Sequence, residues 1–253
     1  MSDLFRNHSF SSRVLKHKSL PLYMTDEFDF FRCLKFEDKF YRQTVSDLHR
    51  GNLRESKTDN RYSKLFPGKK TSYWADSVDT ARAEVKKHGS GNNLLTFWAY
   101  DDSTSTFPTL SDREPLIIID GRELGFLEIL EKIEKGDELS AEDKKIIKKI
   151  SNENPDCLAY ESHAKAGGVN FLFFEKGFRK LAIREVSLRL GDAIGKNTRR
   201  IVCAHSSDYT PSLESYGEYF LPLAKIGNDE QYEKSEEYQS RSYVFGNRTY
   251  SSR

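Results

Sequence analysis

The chain has 253 residues, with 40 Lys and Arg against 39 Asp and Glu, and a formal net charge of +1 gives it no global attraction to nucleic acid or to an anionic membrane. Its length suits one sizeable core, so one domain with an appendage is expected. Three cysteines, Cys33, Cys157 and Cys203, are odd in number and form no CxxC pair, which speaks against a disulfide framework or a zinc knuckle and fits a reducing cytoplasm.

The N-terminal arm, to about residue 22, is polar and basic and holds no apolar signal core. No run nears the roughly 18 apolar residues of a spanning helix, so a soluble, cytoplasmic protein without direct nucleic-acid or membrane partners is expected. MTDEFDFFRCLKF carries apolar residues at mixed helical spacing and predicts a short helix, and KFYRQTV alternates as a strand. From Ser46 to Lys70 the chain is polar and contains Gly51, Pro67 and Gly68, the composition of a long functional loop. TSYWA reads as a strand, and Ser77 as the N-cap of a helix, SVDTARAEVKKHG, that stops at Gly89 with Lys and His in its last turn. Strands follow at NLLTFWAY and EPLIIID, then a helical stretch GRELGFLEILEKIEKG and a second, SAEDKKIIKKISN, with Ser140 and Asp143 at cap positions. DCLAY and NFLFF are strands, and the core is expected to end near Phe174. RKLAIREVSLRL and TRRIVCAH suggest further strands, while the charged segment 227–253 reads as a tail or a partner-docking element. This order is that of an α+β protein divided into an arm with a short helix (1–38), a catalytic region (39–175) and a C-terminal extension (176–253).

Several residue types suggest chemistry. Arginine presents a planar, permanently charged fork that matches phosphate oxygens, so Arg42 on its predicted strand and Arg61 in the long loop are candidates for clamping a pyrophosphate. Alternation in TSYWA sends Tyr73 and Trp74 to opposite faces; Tyr73 serves either as core packing or as a stacking platform. Glu84 shares the apolar side of its helix with Val78, Ala81 and Val85, where a carboxylate is costly unless paired. An ion pair with a nearby arginine is the structural alternative. No Walker loop, GxGxxG, HExxH or GxSxG motif is present, and the six histidines show no ligand spacing, so no metal site is expected. His163, beside Ser162, is a further pocket candidate, and the Lys144, Lys145, Lys148 and Lys149 face is expected to be solvated.

Two ordered blocks carry a resemblance. YWADSVDTARAE, from Tyr73 to Glu84, resembles the YxAxSxxTAxxE segment of the RES-domain family, and DCLAYES followed by GGVNFLFF resembles that family's DGIxYxS and GGxNxxxF. The likeness spans about residues 39 to 175. It implies a mixed β core with flanking helices, related to the ADP-ribosyltransferase toxins, and an activity on NAD. Matched position by position, Arg42 and Arg61 stand for the family's arginines, with Arg54 competing for the second, and Tyr73, Glu84 and Ser162 for its pocket tyrosine, glutamate and serine. Ser72 replaces a usual leucine, Cys157 replaces a glycine, and RYSKLFPGKK is longer than the usual loop.

The resemblance implies an NAD glycohydrolase, probed against two alternatives: transfer of ADP-ribose to a protein, and NAD binding without turnover. Cleavage of the nicotinamide bond builds positive charge on the ribose, which Glu84 would stabilise while Arg42 and Arg61 hold the pyrophosphate. Tyr73 would stack on nicotinamide and Ser162 would bond the ribose or the carboxamide. NAD enters as substrate, with no further cofactor. Toxins of the family are silenced by an antitoxin that blocks the pocket, so an antitoxin and a second copy of the chain are candidate partners.

Overall fold

A computed structural model describes residues 13–17, 20–25, 28–37, 48–49, 51–54, 61–89, 93–101, 116–190 and 199–209. Among them the strands are β1 (Arg13–His17), β2 (Leu20–Thr25), β3 (Phe28–Lys35), β4 (Thr71–Ala75), β5 (Leu94–Asp101), β6 (Leu116–Asp120), β7 (Cys157–Glu161), β8 (Val169–Phe174), β9 (Ala182–Leu190) and β10 (Arg199–Tyr209). The helices are α1 (Arg61–Leu65), α2 (Val78–Lys87), α3 (Phe126–Lys135), α4 (Ala141–Glu153) and α5 (Glu175–Phe178), with a 3₁₀ turn at Gly121–Leu124. The protein is α+β.

All the strands join one sheet in the order β1, β2, β6, β7, β8, β4, β3, β5, β9, β10. Neighbours are antiparallel except β6 and β7. That parallel pair needs a crossover, and the 3₁₀ turn, α3 and α4 supply it. α4 starts on a capping box: Ser140 Oγ accepts from the Asp143 amide at 3.1 Å and the Asp143 carboxylate accepts from the Ser140 amide at 2.9 Å. On one face of the sheet Phe28, Phe30, Trp74, Phe97, Phe171 and Phe173 form an aromatic core, with Phe30 edge-on to both Phe171 and Phe173. On the other face Ile119, Leu158, Tyr160, Leu172 and Phe174 pack under α3 and α4 through Phe126, Ile129, Leu130 and Ile150. α2 seals a smaller patch of Cys33, Ala75 and Ala81.

Several expectations are corrected. The segment MTDEFDFFRCLKF is not a helix: its start belongs to β2 and Phe28–Lys35 is strand β3, paired with β5 from Phe28↔Asp101 to Lys35↔Leu94. The helical spacing was spurious because apolar groups point to both faces of a strand covered on both sides, which erases the period of two. Part of the expected N-terminal arm is strand as well, with β1 on β2 and β2 on β6. The core does not end at Phe174, since Phe178, Leu181, Ile183 and Val186 are fully buried. The expected loop from Ser46 to Lys70 holds a short helix, α1, at Arg61–Leu65, while its residues 46–47, 50 and 55–60, the predicted strand KFYRQTV and the tail 227–253 lie outside the described residues, as does Arg42. No helix among the described residues is long and apolar enough to cross a membrane.

Candidate active site

Among the described residues the sheet is open between β3 and β4. β3 pairs with β5 over its whole length but touches β4 at one registered pair, Phe31↔Ala75. At its other end β4 is bridged by Arg54, whose backbone pairs with Thr71. Among the described residues no strand covers this edge of β4 between those two points, and a backbone group there can take a side-chain partner. The Tyr73 carbonyl finds one in the guanidinium of Arg32, whose Nη1 donates to it. A side chain of β3 thus bonds the backbone of β4.

Under this opening lies a cavity of about 250 Å³ walled by Phe31, Arg32 and Cys33 of β3, Tyr73 and Ala75 of β4, Arg61 and Tyr62 of α1, and Glu84 on α2. α2 is set by its cap: Ser77 Oγ accepts from the Thr80 amide at 3.2 Å, and Thr80, Ala81 and Glu84 turn inward. Glu84 is only 7% exposed. Its Oε1 accepts from Ser162 Oγ at 2.6 Å and from Asn170 Nδ2 at 2.8 Å. Ser162 Oγ itself accepts from the amides of Ala164 and Lys165, so its one hydrogen is committed to Glu84. Oε1 is thus engaged twice, by Ser162 and by Asn170. Burial pushes the Glu84 carboxyl up, but the donors Ser162, Asn170 and Tyr73 and the charge of Arg61 outweigh it and hold the group below its ordinary value. Glu84 is therefore a buried carboxylate kept ionised.

Tyr73 contributes an unusual hydroxyl. It lies close enough to stabilise the Glu84 charge, yet it forms no hydrogen bond of ordinary geometry among the described residues. Burial, then the neighbouring Tyr62 and Glu84, raise its pKa well above normal, so it stays a phenol. The Tyr62 ring stacks against Tyr73 at 6.3 Å, and the Tyr62 hydroxyl bonds that of the buried Tyr160. Arg61 Nη2 donates to Tyr62 at 2.8 Å and its guanidinium sits 4.8 Å from the centre of the Tyr62 ring, while Nη1 pairs with Glu134 of α3. Burial disfavours the Arg61 charge, but Tyr62, Tyr160 and Glu134 raise its pKa further. Arg32 is lowered to about 10, first by burial and then by Arg54, and its buried Nε has no partner among the described residues.

The structure thus brings Tyr73, Arg61 and Glu84 to one cavity and joins Ser162 to Glu84. Arg42 lies outside the described residues, and Arg54 is exposed and does not line the cavity. His163 turns instead to α3, with Nε2 at 2.7 Å from Glu131 Oε1. Four residues escaped the sequence reasoning as site residues: Arg32, Tyr62, Tyr160 and Asn170. The signal for Arg32 was a lone arginine inside the apolar run FDFFRCLK, hidden by the helical assignment; Tyr160 and Asn170 stood within quoted motifs without a role.

No protein-family model and no curated protein matches the chain. Among solved structures it is similar to the crystal structure of the M. tuberculosis MbcT–MbcA toxin–antitoxin complex, at 12% identity over 64% of this chain and 84% of that chain, with a TM-score of 0.36.

Proposed function

We propose that the chain is an NAD glycohydrolase that cleaves the nicotinamide–ribose bond to give nicotinamide and ADP-ribose. The observation that carries this is the ionised Glu84 carboxylate, held by Ser162 and Asn170 in a cavity with aromatic and arginine walls. Breaking the C–N bond sends its electron pair to the nicotinamide ring and leaves an oxocarbenium-like ribose, whose charge a fixed carboxylate stabilises. Water then bonds to the anomeric carbon and loses its proton. Nicotinamide leaves as a neutral molecule, so the high pKa of the Tyr73 phenol is no obstacle: no strong acid is required.

At about 250 Å³ the cavity is below the roughly 300–1,000 Å³ of sites that enclose drug-sized ligands, so it suits the nicotinamide-ribose end, with the remainder of the dinucleotide leading outward. Tyr62 and Tyr73 offer ring faces to nicotinamide, and Arg61 and Arg32 offer donors to the pyrophosphate beside Arg42, which lies outside the described residues. The buried Arg32 Nε, without a hydrogen-bond partner among the described residues, is a polar group that such a ligand would satisfy. An ADP-ribosyltransferase-like arrangement of the α+β fold, a toxin-like role through NAD loss in the cytoplasm, and an antitoxin covering the cavity mouth belong to the same proposal.

The test is to incubate the purified chain with NAD labelled in its adenylate half. Free labelled ADP-ribose with released nicotinamide is expected. Label on protein would replace hydrolysis by ADP-ribose transfer, and label remaining in NAD under saturating binding would reduce the chain to an NAD-binding protein.

A further inference from the structure

Arg61 stands on α1, a helix of only five residues, too short to hold a long side chain in place by itself. What orients its guanidinium comes from elsewhere. Nη2 donates to Tyr62, the guanidinium lies over the Tyr62 ring, and Nη1 meets Glu134. Tyr62 is a neutral neighbour on the same short helix, so among the described residues the charged anchor comes from α3. That helix is well seated, since Phe126, Ile129 and Leu130 are buried against Phe66 and Tyr160. Arginine has five N–H donors, and two are committed to Glu134 and Tyr62; Nε and the second hydrogen of each terminal nitrogen remain for oxygens of a ligand. Glu134 therefore fixes the plane of the fork without consuming it. Its side chain is 42% exposed against 21% for Arg61, so the carboxylate lies on the outer side of the pair and the guanidinium on the inner.

We propose that Glu134 is the positioning residue for Arg61, holding that guanidinium in the orientation that binds the pyrophosphate of the dinucleotide. The inference rests on the function proposed above. It assigns to α3, outside both sequence motifs, a share in substrate affinity. Because the pyrophosphate is gripped equally before and during bond cleavage, loss of this anchor acts on binding and leaves the chemical step alone.

The experiment uses the full chain as wild type, Glu134→Ala, Glu134→Gln and Glu131→Ala, with ADP as the pyrophosphate probe in calorimetry and nicotinamide release as the kinetic readout. Glu134→Ala weakens ADP binding and raises KM by roughly two- to fivefold, the scale of a partly exposed ion pair, with kcat unchanged. Glu134→Gln, whose amide oxygen still accepts from Arg61, falls between Ala and wild type. Glu131→Ala removes the contacts to His163 and Lys135 on the same helix and leaves ADP affinity as it was. The proposal is overturned if wild type does not bind ADP, if folded Glu134→Ala binds it as tightly as wild type or more so, or if the loss falls on kcat. Should wild type bind ADP but release no nicotinamide, the glycohydrolase assignment fails while the ADP series still decides the role of Glu134.

Discussion

Glu84→Gln isolates charge from shape. The substitution keeps the side-chain volume, and the amide oxygen still accepts from Ser162 and Asn170 where Oε1 does now at 2.6 and 2.8 Å. The flipped amide would set its NH₂ against two donors, so the network itself selects the productive orientation. The fold should therefore survive, and stability should hold or rise slightly because a buried charge no longer has to be desolvated. Catalysis should not survive. A single fixed group that stabilises developing transition-state charge is worth roughly 2.7–4 kcal/mol, which predicts a fall in kcat of about 100- to 1,000-fold. The assay is nicotinamide release at saturating NAD, with thermal unfolding measured in parallel. The wild-type pH profile adds a second check: with the Glu84 carboxyl held below its ordinary value, activity should persist into mild acid, and Ser162→Ala, which deletes the strongest donor, should move the acidic limb to higher pH. A folded Glu84→Gln protein that releases nicotinamide at a rate close to wild type would refute the reasoning.

Arg32→Met removes the donor that meets the Tyr73 carbonyl in the gap between β3 and β4; a loss of about 1–3 kcal/mol in chemical denaturation is expected, with NAD cleavage falling as well, and an unchanged midpoint would show that the gap needs no such insert. His49 is fully buried, stacked at 4.3 Å on Phe178, and burial followed by the charge of Arg32 pushes its pKa from 6.5 down to about 3. The unfolded chain then takes up a proton below pH 6.5 that the folded chain refuses, so stability present above that pH is lost as pH falls, by about 2 kcal/mol at pH 5. His49→Phe should flatten that slope in unfolding measured from pH 7 to 5; an identical slope would point to other groups. At Gly177 an added Cβ would stand 2.2 Å from the Asp156 carbonyl oxygen, a backbone atom that cannot turn aside, so Gly177→Ala should lower stability by about 1–3 kcal/mol, and an unaltered melting temperature would contradict that packing.

The sequence by itself determined what depends on neighbours along the chain. The Ser77 cap, the Ser140 and Asp143 capping box, the stop at Gly89 and the alternation of TSYWA all belong to local backbone chemistry, and each stands where expected. The inward turn of Glu84 followed from helical spacing, which needs only the residues of one helix. Strand β3 failed this test because its apolar groups serve both faces, leaving no period by which to tell strand from helix. With β3 unread, Arg32 had no reason to stand out. Only the tertiary structure decided how β3 and β4 stand to each other, since among the described residues they meet at a single pair between segments some 40 residues apart. With that placement come the cavity, the bond from Arg32 to the Tyr73 carbonyl, and the meeting of Tyr62 with Tyr160 across nearly 100 residues. Asn170 and Ser162 likewise reach Glu84 only because β8 lies beside β4 and brings the end of β7 with it. Strand order is set by the packing of the whole core, and no spacing along the chain encodes it.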